Sequence, residues 1–226
     1  SMPWTHDTLG SPFEQRTIHL GLDPDGEGEV VATLIRRRCC TTPRRAAVIH
    51  VHGWSDYFFQ TAMADHFDAM GIAFYALDLR KCGRSHRPGQ TRHYASDLSV
   101  YDAELQAALD IVRDEQPDTP ILMLGHSTGA LIQALWLDRL NRRPGGTEAA
   151  GITGFIANGP WLDLQGGPWM RTVATWLFAQ LARFRPLARV PFPTADGYGV
   201  SLHSSAKGQW DFDVRHKPIG AFPITF

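Results

Sequence analysis

Residues 121–137, ILMLGHSTGALIQALWL, constrain the fold more than any other stretch. A short apolar run meets Gly125-His126-Ser127-Thr128-Gly129, and a second apolar run follows without a gap. The first run begins at Pro120 and is too short for a helix, so residues 120–125 read as a strand; residues 128–141 read as a helix. A strand that turns directly into a helix needs a sharp backbone reversal. Glycines two positions on either side of Ser127 remove the Cβ atoms that would clash there, and the serine hydroxyl is left above the sheet edge. The competing reading is a plain glycine turn. The bare five-residue pattern is weak by itself, and the strand before it and helix after it are what favour a nucleophile.

The same alternation runs through the chain from Ala46. Residues 46–51 (AAVIHV) and 72–78 (IAFYALD) are short apolar runs suited to strands buried on both faces. Between them Phe59, Met63, Phe67 and Met70 recur at helical spacing over residues 57–70, with Gly71 as the stop. A second helix is expected over residues 96–115, ended by Pro117, and a further strand from Gly151. Upstream, residues 17–22 and 30–36 read as two strands joined by the turn DPDGEG. Strands alternating with helices predict an α/β fold with a mostly parallel sheet and helices on both faces.

After Pro160 the pattern breaks. Residues 161–217 are rich in tryptophan and proline, and Trp169, Val173, Trp176, Leu177, Leu181 and Phe184 form one apolar face. The expected organisation is a core over residues 1–160, a helical cap over 161–217, and the start of a return to the core over 218–226.

A nucleophilic serine needs donors for the negative charge that develops on the substrate oxygen, and backbone N–H groups serve best. One is the N–H of Thr128, at the N-terminus of the helix. The second must come from a loop after a neighbouring strand. VIHVHGWSDYF has that form: Gly53 allows close approach, and the Trp54 amide would face the oxyanion. The alternative for this segment is an ordinary strand-to-helix turn with His52 packed as a buried polar residue.

HVHGWSDYF, YALDLRKCGRS and LGHSTGA, in that order, resemble the α/β-hydrolase family. Within it they look most like the monoacylglycerol lipases, lysophospholipases and related serine hydrolases. The corresponding family loops read HG, D-x-x-G-x-G-x-S and GHS-x-G. The resemblance covers residues 46–160 well and 17–45 acceptably as two leading antiparallel strands. It implies Ser127 as nucleophile, the Trp54 and Thr128 amides as oxyanion hole, and His52, Gly53, Gly125, His126 and Gly129 as support. Arg80, Cys82 and Arg84 stand where the family loop is often smaller. That loop is expected to shape the sheet edge, with Asp78 anchoring it and not serving as the triad acid.

The family order is Ser, then Asp or Glu, then His. Later candidates are Asp163, Asp196, Asp211 and Asp213, with His203 and His216, but none follows an apolar strand. The last two strands of the fold, and with them the catalytic Asp and His, are therefore expected outside these 226 residues, on a C-terminal fragment of the same protein. The expected substrate is a small-molecule or lipid ester with a hydrophobic acyl group, cleaved through an acyl-enzyme. The same machinery also suits an amidase, peptidase or thioesterase. A non-catalytic binding protein is the alternative if the chain is complete.

Composition removes other classes. A net charge of -1 and a pI near 6.8 do not suit a nucleic-acid partner. No phosphate-binding glycine motif follows a strand, and the chemistry calls for no cofactor or metal. Cys39, Cys40 and Cys82 are odd in number and lack metal-ligand spacing. With no signal-peptide pattern and no apolar run of about 18 residues, they point to a cytoplasmic protein. Transient contact with a lipid surface is expected at most, through the arginines around the cap helix.

Overall fold

The computed structural model describes residues 3–38, 44–53 and 56–158, with Asn158 described as a strand residue only. Trp54, Cys39 and Cys40, the expected cap over 161–217, the return over 218–226, and the later acid and base candidates lie outside the described residues.

Strands β1 (Thr5–His6), β2 (Phe13–Leu22) and β3 (Glu29–Arg37) open the chain. Then come β4 (Ala46–Val51), helix α1 (Thr61–Ala69), β5 (Ile72–Asp78), α2 (Asp102–Glu115), β6 (Ile121–His126), α3 (Thr128–Asn141), the short α4 (Gly146–Ala149) and β7 (Ile152–Asn158). They form one sheet in the order β1-β2-β3-β5-β4-β6-β7. The β1, β2 and β3 pairings and the β3–β5 pairing are antiparallel. From β5 to β7 every pairing is parallel. The mixed sheet with two leading antiparallel strands is the one expected, with the two-residue β1 added.

Strand alternation sends side chains to both faces. Val48, Ile72, Phe74, Ala76 and Leu124 pack with Met63 and Phe67 of α1 on one face. Ile49, Val51, Tyr75, Leu77, Ile121 and Met123 pack with Leu105, Leu109 and Val112 of α2 and Ile132 and Trp136 of α3 on the other. Sheets covered on both faces need continuous apolar strands, which is why β4 and β5 read as unbroken hydrophobic runs.

Three boundaries differ from the sequence expectation. β2 starts at Phe13, not near residue 17. The segment before α2 is a 3₁₀ turn, Leu98–Tyr101, with Asp97 accepting from the N–H of Ser99. α1 begins at Thr61, not at residue 57. The reason is tertiary: the Phe58 N–H donates to Asp78 and its carbonyl accepts from Arg84, so its backbone groups are committed outside any helix.

The connection from β4 runs to β5 on one side, and that from β6 runs to β7 on the other. A topological switch therefore lies between β4 and β6, where such sheets open a crevice beyond their carboxyl ends. Val51 pairs with Leu77 on one side and Gly125 on the other. The residues that follow, His52-Gly53, Asp78-Leu79 and His126-Ser127, emerge side by side at that edge.

Candidate active site

Ser127 has φ 53° and ψ −120°, a conformation that side-chain-bearing residues rarely adopt. Such residues cost about 1–3 kcal/mol and persist only where their surroundings over-determine them. The surroundings are steric. A Cβ on Gly125 would lie 2.4 Å from the Cα of Ala130, and one on Gly129 would lie 2.3 Å from the carbonyl oxygen of His52. Both glycines are thus required by backbone packed against them. Ser127 precedes α3, where a serine ordinarily caps the helix from an extended conformation. Here φ is positive and the side chain makes no capping hydrogen bond. The plain-turn reading does not account for this; an elbow that presents the hydroxyl does.

Thr128 is the first residue of α3, and its N–H lies in the unsatisfied first turn of a fourteen-residue helix. Gly53 comes up against the elbow, where a Cβ on it would lie 3.1 Å from Cβ of Ser127. The strand-β4 loop therefore faces the serine as its sequence predicts. Trp54, the expected second donor, follows directly but lies outside the described residues.

His52 is 1% exposed, and both ring nitrogens are engaged. Nε2 accepts from the N–H of Leu79 at 3.1 Å, which leaves Nδ1 protonated to donate to the carbonyl of Gly53 at 2.8 Å. It is a support residue that ties the β4 loop to the end of β5, and neither nitrogen is available as a base. His126 is buried beside Gly53, its Cδ2 3.3 Å from where a Cβ on Gly53 would stand. His50 sits deeper among Phe58 and Phe74. Burial, with His126 and His52 nearby, holds its pKa well below 6.5, so it is neutral.

The loop after β5 follows a central strand, since β5 lies between β3 and β4, and it leaves the sheet at the carboxyl edge. It is buried and held by charges from distant parts of the chain. Asp78 does anchor it, accepting from the N–H groups of Phe58 and Arg84 and from the Arg84 guanidinium. Arg80 donates to both carboxylate oxygens of the buried Glu104. Lys81, with φ 60°, lies between Asp23 at 2.7 Å and Glu27 at 2.6 Å. Burial would lower the pKa of Lys81, but these two carboxylates outweigh it and hold the value above 10.5. Cys82 is a buried free thiol whose pKa burial pushes far up, consistent with no reactive role. Sequence reasoning found neither the Arg80 nor the Lys81 pairing, because their partners stand 24 to 58 residues apart with no local signal.

The model of the family described as serine aminopeptidase, S33, matches residues 42–210. A monoacylglycerol lipase of Mycolicibacterium smegmatis (strain ATCC 700084 / mc(2)155) is 34% identical over 89 residues, 39% of this chain and 31% of the lipase. The match thus spans less than a third of that relative. Among solved structures, a highly thermostable carboxyl esterase from Bacillus coagulans has a TM-score of 0.51 at 18% identity, covering 76% of this chain and 55% of its own. A soluble variant of monoglyceride lipase from Saccharomyces cerevisiae, in complex with a substrate analogue, has a TM-score of 0.50 at 20% identity, covering 88% of this chain and 60% of its own. At these identities the two structures bear on the fold, which is the α/β-hydrolase arrangement anticipated from the motifs. No helix among the described residues is long and apolar enough to cross a membrane. The family model matches most of the chain, and the chain belongs to the serine aminopeptidase, S33, family of α/β-fold serine hydrolases.

Proposed function

We propose that the protein hydrolyses carboxylic esters through an acyl-enzyme on Ser127. The observation that carries this is the Ser127 backbone, strained at φ 53° with its hydroxyl uncommitted to the helix cap. Ser127 Oγ attacks the ester carbonyl carbon and its proton passes to a histidine. The N–H groups of Thr128 and Trp54 receive the oxyanion. The ester C–O bond breaks, and the alcohol leaves with the proton from the histidine. Water then attacks the acyl-enzyme by the same route, releasing the acid and restoring the serine.

The histidine and its orienting acid belong, in this proposal, to a C-terminal part of the same protein beyond residue 226. Supporting this, the family places both after the nucleophile, and the matches span only 31% of the lipase and 55% of the esterase. The proposed substrate is an acylglycerol or lysophospholipid-like ester with a hydrophobic acyl group. The lipase likeness favours it, and Trp161, Trp169, Trp176, Phe178 and Trp210 offer apolar side chains for such a group. Cytoplasmic location and transient contact with lipid surfaces are part of the same proposal. Amide hydrolysis is the second reading, favoured by the aminopeptidase named in the family description.

A fluorophosphonate probe tests the nucleophile. Folded protein that includes the C-terminal part should label at one site, and Ser127→Ala should abolish labelling. Folded wild-type protein that stays unlabelled would leave only a binding role. Comparing turnover of monoglycerides, short esters and peptide amides then separates lipase from peptidase.

A further inference from the structure

We infer that Arg84 and Asp7 are positioning residues for the Ser127 site: their ion pair fixes Phe58 and Asp78, and the residue after Asp78 holds, through His52, the Gly53 backbone that lies against Ser127. The inference rests on the hydrolase reading, and it adds residues that no motif marks.

Gly53 and Phe58 are both held by the end of β5 and the segment that follows it. His52 joins the N–H of Leu79 to the carbonyl of Gly53. Phe58 is gripped on both sides of its backbone. Its N–H donates to Asp78 Oδ1 at 2.8 Å, and its carbonyl accepts from Arg84 Nη1 at 2.8 Å. The same Nη1 lies 3.0 Å from Asp78 Oδ2, so one guanidinium nitrogen aligns the acid and the carbonyl together. Packing adds to the grip: a Cβ on Gly83 would lie 2.4 Å from Cβ of Tyr57 and 2.6 Å from Asp78 Oδ2.

What aims Arg84 comes from the other end of the chain. Arg84 Nε and Nη2 donate to the two carboxylate oxygens of Asp7 at 2.6 and 2.8 Å. This two-point contact fixes the guanidinium plane and leaves Nη1 directed at Phe58. Asp7 is itself fixed, its Oδ2 accepting from the N–H of Leu9 at 3.0 Å. Phe13, at the end of the same corner, sets its ring 6.1 Å from that of Phe58. The side chains of Asp7 and Asp78 are fully buried and that of Arg84 is 8% exposed. Two carboxylates and one guanidinium out of water are a weak source of stability, because desolvation offsets most of their attraction. They are a strong source of direction. A misplacement of about 1 Å in a catalytic site can cost about 100-fold in rate.

The test uses the whole protein with p-nitrophenyl butyrate as substrate and a fluorophosphonate for labelling. Turnover is expressed per active site titrated, so that a smaller folded fraction does not register as a smaller kcat. Arg84→Met should lower kcat about 10- to 100-fold, with KM changed less than about twofold, the signature of a lost transition-state contact. Asp7→Asn should lower kcat about 3- to 10-fold, and labelling rates should fall in step. Arg84→Lys, which keeps the charge but not the fork, should restore part of the loss. If Arg84→Met does not fold, Asp7→Asn and Arg84→Lys carry the same split. Folded variants with wild-type kcat and labelling rate overturn this inference alone. A folded wild-type protein that neither labels nor turns over overturns the hydrolase reading and this inference with it.

Discussion

The elbow at residues 125–129 and the loop at residues 78–85 lie side by side at the carboxyl edge of the sheet, yet they are fixed by different physics. The elbow is set by sterics. Two glycines let Ala130 and the His52 carbonyl approach to distances that no Cβ permits, and the strain at Ser127 follows. The loop is set by charge. Arg80 and Lys81 are buried and the Arg84 side chain nearly so, and each is held by carboxylates from elsewhere: Glu104 on α2, Asp23 and Glu27 in the β2–β3 turn, Asp7 in the β1–β2 corner. The contrast teaches that a site can combine a locally encoded part with a part encoded across the chain.

Substitutions can break this comparison, beginning with the charges. Glu104→Leu leaves the Arg80 guanidinium buried without its carboxylate, and removal of one member of a buried pair costs about 3–5 kcal/mol. Urea denaturation should show a loss of that size, and Arg80→Met in the same background should recover much of it. Gly129→Ala attacks the elbow instead, driving a methyl into the carbonyl oxygens of His52 and Val51. The expected cost is about 2–3 kcal/mol, and no second-site charge change should rescue it.

Acid should sharpen the contrast between the neutral interior and the charged loop. His50 takes a proton far less readily folded than unfolded, since burial holds its pKa below 6.5. The unfolded chain therefore binds more protons below that pH, and stability falls as pH drops, by up to about 1.4 kcal/mol per unit for one proton. His50→Leu should flatten this slope between about pH 6.5 and 5, measured as urea midpoints across pH. Asp7 acts lower down. Burial alone would raise its pKa, but the hydrogen bonds from Arg84 and from backbone N–H groups hold it below 3.8. Its stabilisation is present above 3.8 and is lost as pH falls from there through the folded value. The stability gap between wild type and Asp7→Asn should close over that interval.

The smallest effect isolates backbone strain inside the charged loop. Lys81 stands at φ 60°, at the first glycine of the D-x-x-G-x-G-x-S pattern. Lys81→Gly and Lys81→Ala both lose the ion pairs, but glycine alone relaxes the positive φ. The glycine variant should be the more stable by about 1 kcal/mol in urea melts. Equal midpoints would mean that the pairing, and not the backbone, sets the whole cost of change at this position.

Much of the core was legible in advance. The boundaries of β4, β5 and α3 agree with the sequence expectation because unbroken apolar runs and flanking glycines determine them locally. The start of α1 was not legible. Phe59, Met63, Phe67 and Met70 have helical spacing, but the pull of Asp78 and Arg84 on Phe58 delays the helix to Thr61. The family resemblance implies a supporting role for His52; only its two hydrogen bonds show how it serves.

GHSTG, with an apolar strand before it and an apolar helix after it, announced the elbow in the sequence. Local excluded volume against Ala130 requires Gly125, while Gly129 answers to the carbonyls of Val51 and His52 on the neighbouring strand. Tertiary structure alone decided that Asp7, near the start of the chain, meets Arg84 and through it Phe58 and Asp78. An ion pair across 77 residues has no periodicity and no local propensity to announce it. It exists because the sheet order brings the β1–β2 corner and the end of β5 to one place, where burial makes each charge require the other.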